Sequence, residues 1–341
     1  MDRERATGAS ADAFAGHPGY TRMFAPGRLT LGMFLPLRFY RGDMRVLQGQ
    51  TALVQQIDRH GFAAVWARDV PLYDPAFGDA GQLFDPFTQL AWLAAHTRQV
   101  ALATGSAIFT LRHPIDLAKN AASIDQLSGG RLVLGIASGD RPVEFPAYGI
   151  DLEQRGHRFA TAVHDVRTLL APGRQPLHSA LTTLHAAELL PKPATGRIPL
   201  IVTGSSRQSL DWIAEHADGW LTYPHATHHD DGPRQLAARI ADWRARLPDP
   251  GFRPHMTNEW IDLHPDRHYP RTPIDGGYAL RTGRTGLLDL LGQWQAAGVN
   301  HAALGIQFSQ RPAAEVIQEL AEEVLPHFPS LAGTPPLPQH W

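Results

Sequence analysis

The sequence predicts one α/β domain folded as a (β/α)8 TIM barrel, and three observations support this. Eight short apolar runs alternate with longer amphipathic runs, a pattern typical of a parallel sheet with crossover helices. The short runs are apolar almost throughout, as expected for strands covered on both faces. No Gly-x-Gly-x-x-Gly motif follows the first run, which argues against an open dinucleotide-binding sheet. Eight units favour a closed barrel.

The strands are taken from the apolar runs. In order, they are predicted at Leu29–Leu37, Phe62–Ala67, Val100–Phe109, Arg131–Ala137, Ile198–Thr203, Gly219–Tyr223, His255–Leu263 and Val299–Gln307. The intervening segments have helical spacing. They predict helices at Leu47–His60, Phe87–Thr97, Ile115–Leu127, Glu153–Leu170, Ser205–His216, Gly232–Leu247, Thr285–Ala297 and Ala313–Val324. Gly61 and the Ser128-Gly129-Gly130 run follow two of these helices, where glycine is a common cap.

Three segments interrupt the alternation and are predicted to be rim-loop insertions. They are Val70–Leu83, Ala171–Thr195 and Pro248–Arg284. Loops at the carboxyl rim of a barrel build the active site and select the substrate. For the whole chain we predict a poorly ordered N-terminal tail at residues 1–28, a barrel at residues 29–330 and a C-terminal tail at residues 331–341.

The composition excludes several function classes. The chain has 341 residues, of which 43% are hydrophobic and 19% charged, enough apolar material for a large core. A net charge of −2 gives no electrostatic case for nucleic acid or an anionic membrane. The absence of cysteine excludes disulfides, thiolate catalysis and cysteine metal sites. No apolar run could span a bilayer and no signal peptide is recognised, so we expect a cytoplasmic protein.

Polar residues near the predicted strand ends are the first candidates for chemistry. Arg68 and Asp69 follow the second strand, as a pair acting on cofactor or substrate or as a rim salt bridge. Small residues in Thr104–Ala107 would let a flat ring approach the backbone, or would serve tight barrel packing. After the fourth strand, Ser138 and Gly139 offer a hydroxyl and backbone N–H groups suited to an anion. The serine lies one position late for a hydrolase nucleophile elbow.

The Thr203-Gly204-Ser205-Ser206 run lies between a predicted strand and helix. Glycine and serine at a helix N-terminus expose backbone donors and hydroxyls, which favours a phosphate site. The alternative is an ordinary serine N-cap. The His228-His229-Asp230-Asp231 run is interpreted as a solvated loop, because adjacent residues rarely point toward one metal ion.

Together these segments resemble the luciferase-like monooxygenase superfamily, over about residues 29–328 and closest to its luciferase-type oxidoreductases. The densest match is RHPIDLAKNAASIDQLSGGRLVLGIASGDRPVEFPAYG, residues 112–149. The segment IVTGSSRQSLDWIAEHADGW, residues 201–220, is similar to the family's phosphate-binding strand and helix. GVNHAALGIQF and EEVLPHF resemble its last βα unit. The order and spacing of these pieces carry the resemblance.

The resemblance implies flavin at the carboxyl rim. A non-prolyl cis peptide, matching Gly105–Ser106 here, would cradle the isoalloxazine. The flavin phosphate would contact loops that contain Ser138, Gly139, Gly204, Ser205 and Ser206. His113 matches the family's His-Pro motif and is interpreted as structural.

One departure concerns catalysis. The catalytic histidine of bacterial luciferase has no clear match near the second strand, where this chain has Arg68. Arginine cannot serve as a base at neutral pH, but it could stabilise a reduced flavin anion or hold an acidic substrate. Tyr223, His225 and Arg281 are predicted as substrate or lid residues.

The resulting prediction is an oxygenase that takes reduced FMN from a separate reductase and oxidises a small organic substrate. The alternatives are a dehydrogenase or reductase that uses the deazaflavin F420, a non-catalytic flavin-binding protein and a barrel hydrolase. A homodimer is also expected from the resemblance.

Overall fold

The computed structural model describes residues 11–38, 49–77, 84–223 and 226–338. Its strands in chain order are β1 (Thr30–Phe34), β2 (Ala64–Ala67), β3 (Ala101–Ile108), β4 (Leu132–Ala137), β5 (Leu177–His178), β6 (Thr183–Leu184), β7 (Leu200–Thr203), β8 (Gly219–Leu221), β9 (His255–Leu263), β10 (Thr272–Ile274), β11 (Ala279–Thr282) and β12 (His301–Gly305). Its helices are α1 (Pro18–Met23), α2 (Gln50–His60), α3 (Pro86–His96), α4 (Pro114–Ser128), α5 (Glu144–Ala147), α6 (Arg155–Leu170), α7 (Leu210–His216), α8 (Asp231–Ala245), α9 (Arg284–Ala297) and α10 (Ala313–Glu319).

Eight parallel strands close into the predicted barrel. The order is β1-β2-β3-β4-β7-β8-β9-β12, and β12 pairs back onto β1 through Thr30 opposite His301. Every predicted strand is found, with bounds shorter by up to three residues at either end. The barrel prediction is therefore confirmed. No helix in the described ranges is long and apolar enough to cross a bilayer.

The helix ends follow their local chemistry. His113 caps α4, because its ring nitrogen accepts a hydrogen bond from the Ile115 amide at 3.2 Å. α2 and α4 end at Gly61 and Gly129, whose φ angles of 83° and 70° are left-handed and suit glycine. The structural interpretation of His113 agrees with this capping geometry.

The segment before β1 is an ordered plug where the structure describes it, which corrects the expected tail for residues 11–28. Tyr20, Met23 and Phe24 are buried in the same cluster as Ala101 and Val133 of the barrel interior. These apolar side chains cover the amino end of the barrel, and their burial orders the segment. The predicted tail residues 1–10 lie outside the described part of the chain.

Residues that follow the barrel pack at the same end. The Leu331 amide donates to Arg22 O at 3.1 Å, and the Leu337 amide donates to Gly129 O at 2.8 Å. The described part of the C-terminal tail is thus bonded to the plug and to the end of α4.

Two of the three predicted insertions contain short strands that the sequence analysis missed. β5 and β6 form an antiparallel pair within the connection before β7. β11 extends the barrel sheet beside the end of β9, with Leu280 opposite Ile261, and β10 pairs antiparallel to β11. The β10–β11 insertion therefore raises one side of the carboxyl rim. Residues 78–83 of the first insertion lie outside the description.

Candidate cofactor and substrate site

A cavity of about 840 Å³ lies at the carboxyl ends of the barrel strands. Active sites of TIM barrels are built at this end, and the volume is near the top of the range of about 300–1,000 Å³ for small-molecule sites. The lining brings together ten residues singled out from the sequence. They are Arg68, Asp69, Gly105, Ser106, Ser138, Gly139, Gly204, Ser205, Ser206 and Tyr223.

One predicted substrate residue, Arg281, is not part of this lining. Arg281 donates from Nε to Asp262 Oδ2 at 2.7 Å, on β11 beside the end of β9. His225 lies outside the described residues. Tyr223 reaches the lining from the rim with 61% of its surface exposed. A role in substrate binding stays a prediction for all three.

One side of the cavity is a floor of small residues on β3. The Gly105–Ser106 peptide bond is cis, as the resemblance implied. A Cβ atom on Gly105 would lie 2.5 Å from the Phe34 ring, so the glycine allows this ring to pack against the strand. The Ser106 hydroxyl bonds the Thr203 hydroxyl of β7. The floor therefore consists of the Gly105 backbone and the hydrogen-bonded hydroxyls of Ser106 and Thr203.

The loop after β7 does not begin a helix at Ser205, which corrects the predicted helix start. Gly204, Ser206 and Arg207 have left-handed φ angles of 58°, 44° and 63°, which an α-helix cannot contain. α7 begins later, at Leu210, and Ser209 caps it by accepting from the Trp212 amide at 3.1 Å. The signal for a helix N-terminus was therefore assigned to the wrong serine.

The same loop still presents donors to the cavity. Within the described ranges, the amides of Ser205 and Ser206 donate to no protein acceptor. The Ser206 hydroxyl donates to Thr203 O at 2.8 Å, whereas the Ser205 hydroxyl accepts only a long contact of 3.3 Å from the Arg207 amide. Successive amides in a left-handed turn form a concave anion site.

The sequence analysis missed three guanidinium groups of the cavity lining. Arg155, Arg207 and Arg141 line the cavity. Among the described residues the buried Nε of Arg155 has no hydrogen-bond partner. Gly156 lies against the loop, since its carbonyl accepts from Gln208 Nε2 at 2.7 Å. The sequence could have indicated Arg155, because it stands in the first turn of α6. The helix dipole disfavours a positive charge there, so an arginine at this position suggests a role outside the helix.

Asp69 is hydrogen-bonded to other groups of the protein. Its carboxylate accepts from Arg112 at 2.8 and 3.1 Å and from the Ile108 amide at 2.9 Å. Arg112 also reaches Asp85 at 2.7 Å, and these carboxylates raise the pKa of the guanidinium. The structure thus places Asp69 in the cavity wall as the residue that joins the end of β2 to the loop after β3.

Opposite the floor, β9 contributes three residues that the sequence analysis also missed. Asn258, Glu259 and Trp260 all line the cavity. Glu259 is buried, and burial raises its pKa to about 7 although it accepts from the Trp260 amide at 2.9 Å and bonds Thr227. The sequence did contain a signal, because an amide and a carboxylate stand within this predicted strand. Burial of such groups is unfavourable unless they have a hydrogen-bond partner.

Arg68 meets this wall. Its guanidinium carbon lies 5.4 Å from the centroid of the Trp260 ring, within the range of a cation–π contact. The indole packs closely on Gly305 of β12, because a Cβ atom there would come within 1.7 Å of it. Arg68 therefore lies between the β2 end and the aromatic wall.

A family model for luciferase-like monooxygenases matches residues 29–254. An uncharacterised protein of Mycobacterium tuberculosis is 27% identical over 200 residues, which cover 54% of this chain and 71% of that protein. A monooxygenase structure, RslO1 of Streptomyces bottropensis, superposes with a TM-score of 0.74 at 20% identity, covering 88% of this chain and 99% of that one. An F420-dependent secondary alcohol dehydrogenase, solved with an F420-acetone adduct, gives 0.70 at 19% identity and the same coverage. These structural likenesses show the fold.

Proposed function

This chain belongs to the luciferase-like monooxygenase family, a family of oxidoreductases, and from that membership we propose that it is a monooxygenase that uses reduced FMN supplied by a separate reductase. One observation supports a cofactor with a flavin-type ring and a phosphate. A single cavity combines a flat floor on β3 with a cluster of hydroxyl, amide and guanidinium groups on the loops after β4 and β7. FMN has the matching parts, a planar ring and a phosphate ester.

The ring fits the floor for steric reasons. Gly105 lines the cavity beside the Phe34 ring, which fills the space where its side chain would be, and Ser106 is bonded to Thr203 next to it. Close approach of backbone to a ligand is a common use of glycine. In the proposed complex the isoalloxazine lies against these two residues.

The phosphate fits the cluster on chemical grounds. Ser138 and Ser205 supply hydroxyls, and the amides of residues 205 and 206 supply backbone donors. The Nε of Arg155 is a buried charged donor that lacks an acceptor within the described part of the protein. A phosphate would supply that acceptor, and charge-assisted bonds of this kind are stronger than neutral ones.

When bound, reduced FMN would supply the activation of oxygen, and the protein would bind, orient and exclude water. Because an arginine side chain is a poor base, the role of Arg68 would be to stabilise negative charge on cofactor or substrate. Glu259, with a pKa raised to about 7, is the cavity carboxyl suited to hold a proton near neutral pH.

The first test is a fluorescence titration of the purified chain with FMN and with riboflavin. The proposal expects FMN to bind at least about 10-fold more tightly, because two or more charge-assisted contacts to phosphate are lost with riboflavin. Equal affinities for FMN and riboflavin would contradict the assignment of a phosphate site. If neither flavin binds, the flavin proposal is rejected. The separate reductase and the homodimer stay predictions.

F420 is the second candidate cofactor. The fold is shared with an F420-dependent alcohol dehydrogenase, and the same floor and anion cluster would suit a deazaflavin ring and its phosphate. Such an enzyme would transfer hydride without oxygen, so oxygen uptake separates the two proposals.

A further inference from the structure

We propose that the β9 side of the cavity binds a planar aromatic substrate that donates a hydrogen bond, from N–H or O–H, to the side chain of Asn258. This deepens the function proposed above and rests on it only in placing the cofactor on the opposite, β3 side. Three features support it: the aromatic wall, the Asn258 side chain and the hydrogen bonds that already occupy Glu259.

The wall is aromatic. The Trp260 ring is stacked with Tyr278 at 6.2 Å between centroids and 19° between planes, and it lies 5.3 Å from the Phe34 ring. Phe308 meets Trp260 edge to face at 6.2 Å. Flat side chains of this kind favour a flat ligand, since aromatic pairs prefer stacked or edge-to-face contacts.

Arg68 adds a second planar group to this wall. Its guanidinium lies over Trp260 at 5.4 Å and lines the cavity. Guanidinium groups stack on aromatic faces as well as pairing with anions. A π-rich ligand would therefore meet favourable partners in both Arg68 and Trp260.

Asn258 supplies the one specific polar contact. It is 5% exposed and precedes Trp260 by two positions, so the two side chains share a face of β9. Within the described ranges Asn258 Oδ1 has no hydrogen-bond partner. Ala303 lies opposite it on β12 and has no side-chain donor. A buried acceptor without a donor is unfavourable, so this oxygen is suited to a ligand donor.

The neighbouring carboxyl is not available for the same purpose. Glu259 is bonded to the Trp260 amide and to Thr227. Its oxygens are thus already used within the wall, whereas Asn258 Oδ1 has no partner among the described residues. An aliphatic ligand without a donor would leave Asn258 Oδ1 unpaired and would use neither feature.

Calorimetric titration with matched probes tests the inference. The probes are 2-naphthol, which has a donor, and 2-methoxynaphthalene, which does not. We expect the wild-type protein to bind 2-naphthol about 10-fold more tightly. Asn258→Leu should bring the two affinities within about 2-fold, whereas Asn258→Asp, which retains an acceptor, should keep the preference. Asn120→Leu, on the exposed face of α4, is the control and should behave as wild type.

The titrations are run on the FMN-loaded and the FMN-free protein. Loss of the naphthol preference in Asn258→Leu with unchanged FMN affinity supports the inference. Equal affinities in the wild type, or a preference that survives in Asn258→Leu, would overturn it. If FMN does not bind at all, the proposed function fails, and the FMN-free titration still decides the role of Asn258.

Discussion

Asp69 holds Arg112 in a two-point ion pair, with Oδ1 2.8 Å from Nη2 and Oδ2 3.1 Å from Nε. The same carboxylate accepts from the Ile108 amide at the end of β3. The pair therefore connects the end of β2 to the start of the loop that leads into α4, immediately beyond the Gly105–Ser106 floor. The Asp69 carboxylate therefore fixes the position of these two segments relative to each other at the edge of the cavity.

Replacing Asp69 with Asn should destabilise the fold by about 1–3 kcal/mol, because the buried partner of a charged hydrogen-bond pair loses its charge. The control is Asp85→Asn, which changes the more exposed partner of Arg112 and should cost less than about 1 kcal/mol. Urea unfolding measures both. Equal losses in the two variants would contradict the organising role of Asp69.

Replacing Arg155 with Gln should weaken FMN binding by about 10-fold or more and leave riboflavin binding nearly unchanged. The reason is that its unpartnered Nε is proposed to bond the phosphate, which riboflavin lacks. Arg246→Gln is the control, since Arg246 is ion-paired on the surface with Asp211 and Asp242. Fluorescence titration measures the affinities. A parallel loss for FMN and riboflavin would show that Arg155 supports the fold instead.

Glu259 should make stability depend on pH. Burial raises its pKa from 4.5 to about 7, so the folded protein binds this proton more tightly than the unfolded chain does. The stabilisation is complete below about pH 4.5 and is lost as the pH rises through about 7. Relative to Glu259→Gln, the wild type should lose on the order of 3 kcal/mol between pH 4.5 and 8.

Urea unfolding of the wild type and Glu259→Gln across this pH range gives the difference directly. Asp125 has a pKa raised in the same direction by burial, but it is common to both proteins and cancels. A difference that is constant with pH would show that Glu259 keeps an ordinary pKa.

Replacing Gly305 with Ala should destabilise the protein by about 1–3 kcal/mol and disturb the aromatic wall, because the new methyl would overlap the Trp260 ring. Gly292→Ala is the matched control. It lies in α9 with open space around it and should stabilise the helix by about 0.5–1 kcal/mol. Unfolding curves and tryptophan fluorescence report both effects. A tolerated Gly305→Ala would mean that Trp260 is free to move.

The barrel could be predicted from the sequence because its strands are apolar runs bounded by helical periodicity. The candidates after β4 and β7 could be predicted because they follow strands within the matching motifs, whereas Gly105 and Ser106 lie inside β3 and were predicted from the family resemblance. The α1 plug was missed because six residues beginning Pro-Gly have too little periodicity to indicate a helix, and only closure of the barrel explains their burial.

The β9 wall and Arg155 depend on tertiary placement. Asn258 and Glu259 belong to a strand whose buried pattern gives no sign of which residues face the cavity. Trp260 depends on a glycine 45 positions away, Gly305, which the barrel places beside it. The sequence did not indicate that Ser209 rather than Ser205 caps α7, because the left-handed φ angles of the loop decide where the helix starts.

The most direct test of the account is an anaerobic titration of the purified chain with reduced FMN and with reduced F420, followed by mixing with oxygen in an oxygen-electrode cell. Tight binding of reduced FMN is predicted and, on mixing with oxygen, the same oxygen consumption as free reduced FMN but less release of hydrogen peroxide when substrate is present, because the second oxygen atom goes to the substrate and to water. Preference for reduced F420 without oxygen uptake, or binding of neither, would contradict it.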